Sequence, residues 1–300
     1  MAEAAASPTH AESTGFCFRD KTPSSVADGG WLGKLDMRFA PLAGKTRLVS
    51  RSHVGPLVVQ RPFHPETDGT THVYVLHPPG GIAGGDRLEL TCVLDAGART
   101  LLTTPGAGKI YRTAGGPGRM TTEIEVGPGA VCEYLPQETI LFDGADARID
   151  TRVRLARDAT YLGWDFLCLG RPAAGEGFGK GAVRQRVEVI RAGRPIWYER
   201  LDLPAGSPHL QARFSLAGQP IVATMVYAGP MLEGTDERIR AEAGEDARGV
   251  FSVSQLEDVV VCRYLGASMT QAKTLFGRAW QVLRAGPMGK RAVAPRIWAT

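Results

Sequence analysis

The sequence contains few cysteines, and they form no recognised motif. Its 300 residues include five cysteines, which are widely spaced and form no C-x-x-C pair. This spacing argues against a zinc knuckle and against a thioredoxin-like redox pair. Four of the five lie in apolar runs, where cysteine behaves as a small buried hydrophobic residue, namely Cys92, Cys132, Cys168 and Cys262. We therefore expect free thiols and a reducing compartment.

Long apolar runs are absent as well. No stretch of 18 apolar residues occurs, so the sequence predicts no transmembrane helix. Residues 1–15 lack the basic start and apolar centre of a secretory signal. Residues 1–28 are polar and low in complexity, which predicts a disordered tail, and residues 29–300 are expected to form a single domain. These features together predict a soluble cytoplasmic protein.

Charge of one sign is not concentrated anywhere in the chain. The net charge is +4, yet no block of five or more Lys or Arg residues occurs. Scattered basic residues are typical of a solvated surface. Nucleic-acid binding is therefore disfavoured.

Intact motifs for nucleotide binding and hydrolysis are missing too. The segment 103–110, TTPGAGKI, contains Gly-Lys but has Thr103 in place of the first glycine and Ile110 in place of the magnesium-binding hydroxyl residue of a P-loop. The segment GGIAGG at 80–85 precedes a predicted strand, whereas a dinucleotide-binding loop opens a helix. No G-x-S-x-G or H-E-x-x-H motif occurs. We expect that this protein does not bind nucleotide itself.

The sequence is rich in turn-forming residues and in alternating strands. It has 37 glycines and 20 prolines, and turns followed by a second strand recur about every 31 to 33 residues, which is typical of stacked supersecondary units. Apolar and polar residues alternate with a period of two, as in half-buried strands, over residues 87–94, 120–126, 149–155 and 183–189. A first strand is expected from Trp31 to Phe39. This pattern predicts a mainly β fold, either two packed sheets or a superhelix of strands.

Helices are predicted only towards the end of the chain. The strongest covers 268–284, where Ser268 and Gln271 form a capping box and Arg284 suits the negative end of the helix dipole. A shorter helix at 236–243 completes a helical corner near 230–285. One stripe of the longer helix is apolar and either docks on the sheets or forms a partner surface: Ala272, Leu275, Phe276, Ala279 and Leu283.

Several carboxylates lie beside glycine and proline or inside apolar strands. The segment LHPPGGIAGGDRLEL at 76–90 is either a tight connection between two strands, which its composition favours, or a rigid turn, set by Gly81 and Gly85, that positions Asp86. Asp165 interrupts an apolar strand, where a buried acid is costly unless it is paired or hydrated. Other acids of this kind are Glu133, Glu138, Asp143, Asp146 and Glu176. These acids either pair with Arg112, Arg171 or Lys109, or line a polar passage for a weakly held divalent ion.

Five segments, in order, resemble one known family. They are HPPGGIAGGDRLEL, LLTTPGAGKIYRT, EYLPQETILFDGA, CLGRPAAGE and the final PRIWAT. Together they resemble the urease accessory protein family UreD, also named UreH, over about residues 30 to 300. The resemblance implies a β-rich, layered or superhelical scaffold with a few C-terminal helices and no catalytic activity.

The same resemblance implies partners, a metal and candidate residues. The expected partners are UreF, which carries the GTPase UreG, and apo-urease. Nickel is expected to pass transiently through an internal polar passage, with no tightly bound cofactor. Carried onto matching positions, Asp86, Glu138 and Glu176 become candidate metal-binding acids of that passage, while Tyr111 and Arg112 become architectural residues.

Two alternatives remain open from the sequence. One is a carboxylate-dependent enzyme on a β-helical frame, which requires two acids about 5 to 10 Å apart in an open cleft. The other is a β-rich interaction module without metal transit, which differs from the scaffold only in lacking the passage.

Overall fold

The computed structural model describes residues 30–113, 115–244 and 249–299. The predicted tail at 1–28 and Cys17 therefore lie outside the described residues. The described part forms two large β-sheets with two α-helices packed against the second sheet. The mainly β fold expected from the alternating pattern is confirmed. The strands are β1 (Leu32–Leu42), β2 (Lys45–Val54), β3 (Val58–Val59), β4 (Thr71–Leu76), β5 (Arg87–Leu94), β6 (Arg99–Thr103), β7 (Gly108–Ile110), β8 (Gly118–Val126), β9 (Val131–Leu135), β10 (Thr139–Leu141), β11 (Asp146–Leu155), β12 (Thr160–Leu169), β13 (Ala182–Arg191), β14 (Arg194–Pro204), β15 (Ile221–Ala228), β16 (Gly249–Gln255) and β17 (Val260–Gly266).

The first sheet has a parallel centre of five strands. Strands β1, β5, β8, β11 and β13 lie side by side, and β2 and β14 pair with its two edges in antiparallel fashion. The four alternating segments predicted from the sequence stand next to one another in register. Leu88 lies beside Met120, Met120 beside Ile149, and Ile149 beside Gln185.

The second sheet also begins with parallel strands. Strands β4, β6, β9 and β12 are parallel, and β15, β17 and β16 continue the sheet in antiparallel fashion. The chain alternates between the two sheets from β4 to β13, as each tight turn carries it from one sheet to the other. This is the β-solenoid-like arrangement of stacked units that the recurring turns predict.

A narrow third side closes each unit. Strands β7 and β10 are parallel to each other, and β10 is also parallel to the end of β12. Ile82 pairs with Ile110, Ile110 with Leu141, and Leu141 with Leu169. All four side chains are buried, so this ladder joins successive units through apolar contacts.

The interior between the sheets contains a large cluster of buried apolar residues. It includes Leu94, Leu102, Ile124 and Val153, which are all buried. The four cysteines at 92, 132, 168 and 262 are free and buried, as predicted. Burial raises the pKa of the Cys168 thiol to about 11 and that of Cys262 to about 12, so these thiols stay protonated and poorly nucleophilic at neutral pH.

The predicted helices are present. Helix α1 spans Thr235–Ala243 and α2 spans Met269–Ala285. The Ser268 hydroxyl accepts a hydrogen bond from the Gln271 backbone N–H and caps α2. The apolar stripe of α2 docks on the second sheet, which decides between the two interpretations of that stripe. Within the described ranges, neither helix has the length and hydrophobicity needed to cross a membrane.

One expectation about an individual residue is wrong. The alternating pattern places Trp31 among the apolar residues of the first strand, but it precedes β1 and is 57% exposed. Arg284 lies in the last turn of α2, as expected, and its side chain is fully buried. It is buried because it pairs with two carboxylates that the sequence pattern does not reveal.

Candidate functional site

A cavity of about 290 Å³ lies between the two sheets. Its walls come from inward-facing residues of β5, β8, β11 and β13 on one side and of β4, β9, β12 and β15 on the other. A water molecule occupies about 30 Å³ in the liquid, so the space holds several waters. Apolar residues dominate the wall, and polar side chains interrupt it at Thr122, Tyr134, Thr151, Asp165, Gln185 and Thr224.

The cavity reaches the surface at one loop. Residues 104–107 connect β6 to β7 and line the cavity together with Gly108, Lys109, Gln137 and His77. Gly106 is exposed in this loop. The segment that resembles an incomplete P-loop is therefore the cavity mouth, and it leads into a strand, so no helix N-terminus is available to bind a phosphate.

Asp165 is the one carboxylate among the described residues that line the cavity. Its neighbours Trp164 and Phe166 face α2, so alternation along β12 turns Asp165 inward. Gln185 Nε2 donates a 2.9 Å hydrogen bond to Asp165 Oδ1, and Thr224 is its register partner on β15. Burial raises the pKa of Asp165 to about 7, although the Gln185 hydrogen bond partly opposes this shift. The charge of this wall therefore changes near neutral pH.

Asp86 organises the glycine-rich turn, as its position in the sequence predicts. Its Oδ2 accepts a hydrogen bond of 2.8 Å from the Ala83 backbone N–H, and its Oδ1 accepts one of 2.8 Å from the Trp31 N–H. Gly85 has φ +87°, a backbone conformation that favours glycine. Asp86 does not line the cavity, but it acts through space on His77, which does. Burial lowers the pKa of His77, and the charge of Asp86 opposes this.

Glu138 lies beside the cavity mouth. The Lys273 ammonium of α2 is 2.5 Å from Glu138 Oε2 and donates a 2.6 Å hydrogen bond to Gln137 Oε1. Gln137 lines the cavity, whereas Glu138 is the next residue along the chain and does not. The acid is therefore paired with a lysine of the helix, a partner that sequence proximity could not suggest.

Glu176 is held in an ion pair within its own loop. Arg171 donates to Glu176 Oε2 through two guanidinium nitrogens, and the Asp143 backbone N–H donates to Oε1 at 3.0 Å. The Arg171 hydrogen bond, with that of Asp143, lowers the pKa of Glu176. Asp143 in turn accepts from the Gly179 and Lys180 backbone N–H groups, each at 2.8 Å. These contacts realise the predicted pairing with Arg171.

The three acids carried over from the family are not brought together. Each of Asp86, Glu138 and Glu176 has its own partners, and none of the three lines the cavity. Among the described residues, no group of three or more His, Cys, Asp or Glu side chains is arranged to hold a metal ion. Their assignment to nickel transit stays a prediction.

A second set of charged groups is buried beneath α2. Arg284 donates to both oxygens of Glu133, at 2.8 and 2.6 Å, and to both oxygens of Glu66, each at 2.9 Å. Trp280 Nε1 donates to Glu133 at 2.7 Å, and Lys290 Nζ lies 3.4 Å from an oxygen of each acid. Burial alone raises the pKa of Glu66, but hydrogen bonds from His72 and Arg284 lower it to about 2. This network joins the helix to β9 and to the segment before β4.

Asp165 and Glu133 stand out in the sequence, but their partners in the fold do not. Asp165 stands out as an acid in an apolar strand, which is the signal for a buried functional or hydrated carboxylate. Glu133 stands out in the same way, but its partner Arg284 is 151 residues away. The polar wall residues Gln185 and Thr224 carry no local signal, because each is an ordinary inward position of a strand.

The sequence of this chain is similar to sequences of known proteins over most of its length. The chain matches the family described as UreD urease accessory protein over residues 32–299. "Urease accessory protein UreD 2" of Brucella anthropi is 58% identical over 271 residues, covering 90% of this chain and 99% of that protein. "Urease accessory protein UreD" of Azoarcus sp. (strain BH72) is 43% identical over 280 residues, 92% of this chain and 96% of that protein. The protein of the same name from Janthinobacterium sp. (strain Marseille) is 44% identical over 269 residues, 89% of this chain and 91% of that protein. A match over nearly the whole described chain, at these identities, shows that this protein belongs to the UreD family of urease accessory proteins.

Proposed function

We propose that this protein is a non-enzymatic scaffold that links a complex of UreF and the GTPase UreG to apo-urease and assists insertion of nickel. In this proposal Ni²⁺ is cargo that moves transiently through the cavity between the two sheets. The observation that carries the proposal is that cavity, because it combines an opening at residues 104–109 with polar side chains deep inside. The chain's lack of an intact P-loop is consistent with nucleotide chemistry belonging to a partner.

The wall chemistry suits an ion that is passed on. A bare divalent ion among apolar side chains carries a large desolvation cost, so the ion travels with part of its water shell. Hydroxyl and amide oxygens of Thr122, Thr151 and Gln185 supply replacement contacts, and Asp165 supplies one carboxylate. One carboxylate binds weakly compared with the several ligands of a resident metal site, as transfer requires.

The enzyme alternative lacks its expected geometry. A glycosidase or lyase of the predicted kind needs two acids in one open cleft. The described residues that line the cavity include only Asp165 among the carboxylates. The non-enzymatic interpretation is therefore the better supported one.

A cavity-filling variant tests the passage. Thr151→Phe adds a ring to an inward position of β11 that lines the cavity. The matched control is Thr91→Phe, at an outward position of β5 in the same sheet. Each variant is expressed with UreF, UreG and apo-urease of one source, and urease activity is measured after addition of nickel. We expect loss of activation by Thr151→Phe with the protein complex intact, and normal activation by Thr91→Phe.

Three results would contradict parts of this proposal. Full activation by Thr151→Phe, with a melting temperature equal to that of the control, would exclude transit through this cavity. A wild-type chain that co-purifies with none of the three proteins would exclude the scaffold itself. A combined Asp86, Glu138 and Glu176 alanine variant that still activates urease would remove those acids from the pathway.

A further inference from the structure

The outer face of the first sheet carries a row of arginines that no stretch of sequence reveals. Arg87, Arg119, Arg148 and Arg184 lie on β5, β8, β11 and β13. They are register partners, with Arg87 beside Arg119, Arg119 beside Arg148, and Arg148 beside Arg184. Neighbouring strands are about 4.8 Å apart, so the arginines of the row are closely spaced.

The row faces away from the cavity. The next residues along these strands, Leu88, Met120 and Ile149, line the cavity, and successive side chains of a strand point to opposite faces. Arg148 and Arg184 are exposed, and Arg87 and Arg119 are half-buried. All four residues therefore keep some solvent-accessible surface on the outer face of the sheet.

Several arginines elsewhere on this sheet are paired with acids. The ion pairs join Arg38 to Asp95, Arg152 to Glu188, Arg154 to Glu123, Arg186 to Asp150, and Arg200 to Asp202. Arg184, at the end of the row, has Asp146 and Asp202.

Three arginines of the row differ from these. Within the described residues, Arg87, Arg119 and Arg148 have no carboxylate within 4 Å, and we call these three the arginine row. The nearest acid in sequence, Asp86, is turned towards backbone N–H groups. Like charges directly opposite one another destabilise a sheet. The arginine row therefore lowers the stability of the sheet, since no carboxylate of the described residues lies close enough to offset the repulsion.

We propose that the arginine row is a docking surface for the acidic face of a helix in a partner protein. Two helical turns place carboxylates at intervals of about 5 to 6 Å on one face, close to the strand spacing of the row. Each guanidinium can hold one carboxylate through two parallel hydrogen bonds. This inference is independent of nickel transit.

A helix fits this surface better than a nucleic acid. The outward row next to the arginine row contains acids at Glu89 and Asp150, and the row after it contains Glu123; these acids repel a continuous phosphate backbone. A helix presents charge along one narrow face and avoids those acids. Duplex DNA is therefore included in the test as the competing ligand.

The test uses the full chain and two probes. One probe is a fluorescein-labelled helical peptide with Glu at positions i, i+4, i+7 and i+11, and the other is a labelled 16-base-pair duplex. Their binding is measured by fluorescence anisotropy at low salt. The test variant is R87Q/R119Q/R148Q, and the matched control is R152Q/R154Q/R186Q, which removes three paired arginines from the same face.

We expect the wild type to bind the acidic peptide and the test variant to bind it about tenfold more weakly, from three exposed charge pairs. The control is expected to bind within about twofold of the wild type, and salt is expected to weaken wild-type binding. The conservative variant R87K/R119K/R148K keeps the charges and should retain part of the affinity. Thermal melting of each variant checks folding.

Three results would overturn the inference. They are equal peptide binding by the wild type and the test variant, no peptide binding by the wild type, and stronger binding of the duplex than of the peptide. Since none of these measurements requires urease, UreF or UreG, failure here is distinct from failure of the proposed scaffold function.

Discussion

Replacement of Arg284 by methionine should destabilise this protein more than any surface substitution. Arg284 makes hydrogen bonds to four carboxylate oxygens and to the Arg291 carbonyl, and its side chain is fully buried. The cluster holds two deeply buried acids, Glu66 and Glu133, and two bases, Arg284 and Lys290; His72 Nε2 lies 2.7 Å from Glu66, and Lys290 also lies 3.6 Å from the more exposed Asp68. Methionine leaves two buried acids facing one base. Removing one partner of a buried ion pair costs about 3 to 5 kcal/mol.

A second substitution tests whether the unpaired carboxylate causes the loss of stability. In the Arg284→Met background, Glu133→Gln restores the balance to one acid and one base, and the oxygen of the new side-chain amide can still accept from Trp280 Nε1. We therefore expect the double variant to be more stable than Arg284→Met alone by about 1 to 3 kcal/mol, the cost of a buried group left unpaired. An exposed control is Arg278→Met, which loses hydrogen bonds to the carbonyls of Glu242 and Ala243 and should cost about 1 kcal/mol.

The measurement is urea unfolding at pH 7, followed by circular dichroism and extrapolated to water. A loss of stability in Arg284→Met no larger than that in Arg278→Met would contradict this prediction. A double variant less stable than Arg284→Met would contradict it too, because the unpaired carboxylate would then not be the source of the loss. Equal slopes with urea among the variants confirm that the free energies of unfolding are comparable.

Two buried acids and one glycine give further predictions. The pKa of Glu66 is lowered from 4.5 to about 2, so its contribution of about 3 kcal/mol to the free energy of unfolding is present above pH 4.5 and lost as pH falls towards 2. Between pH 7 and pH 3, the free energy of unfolding should therefore fall less in Glu66→Gln than in the wild type. The pKa of Asp165 is raised from 3.8 to about 7, so the free energy of unfolding of the wild type falls by up to about 4 kcal/mol as pH rises from 4 to 8. Asp165→Asn should be as stable as the wild type at pH 4 and more stable at pH 8. An equal dependence of stability on pH in the two proteins would contradict the raised pKa. Gly85→Ala should cost about 1 to 2 kcal/mol in thermal unfolding, since φ is +87°, whereas Gly106→Ala, which meets nothing within 4 Å, should cost less.

The parts of the fold that sequence reasoning predicts are those with local signals. The alternation over 87–94 matches β5 at both ends, because one face is buried and the other is not. The helix expected at 268–284 is observed as Met269–Ala285, because its cap and its apolar stripe both lie within the segment. The glycine-rich turn at Asp86 is also local, since its hydrogen bond to Ala83 spans three residues.

The parts that were not predicted depend on which strands become neighbours. Arg87 and Arg119 are 32 residues apart and look like scattered surface charges until β5 and β8 pair in register. Arg284 sits where a dipole-compensating arginine is common, and only the folded chain brings Glu66 and Glu133 to it. Glu138 is paired with Lys273 for the same reason, as the two residues lie on separate elements.

The last described residues complete the core, and this has a consequence for the order of folding. Trp298 packs against Trp164 and Trp280 and donates to Thr103, 195 positions earlier. Arg284 reaches Glu66 across 218 positions. During synthesis, the acids and the apolar face of the earlier strands stay uncovered until residues 269–299 have left the ribosome. Contacts of such long range form slowly, so the nascent chain passes through a period in which it is prone to aggregate.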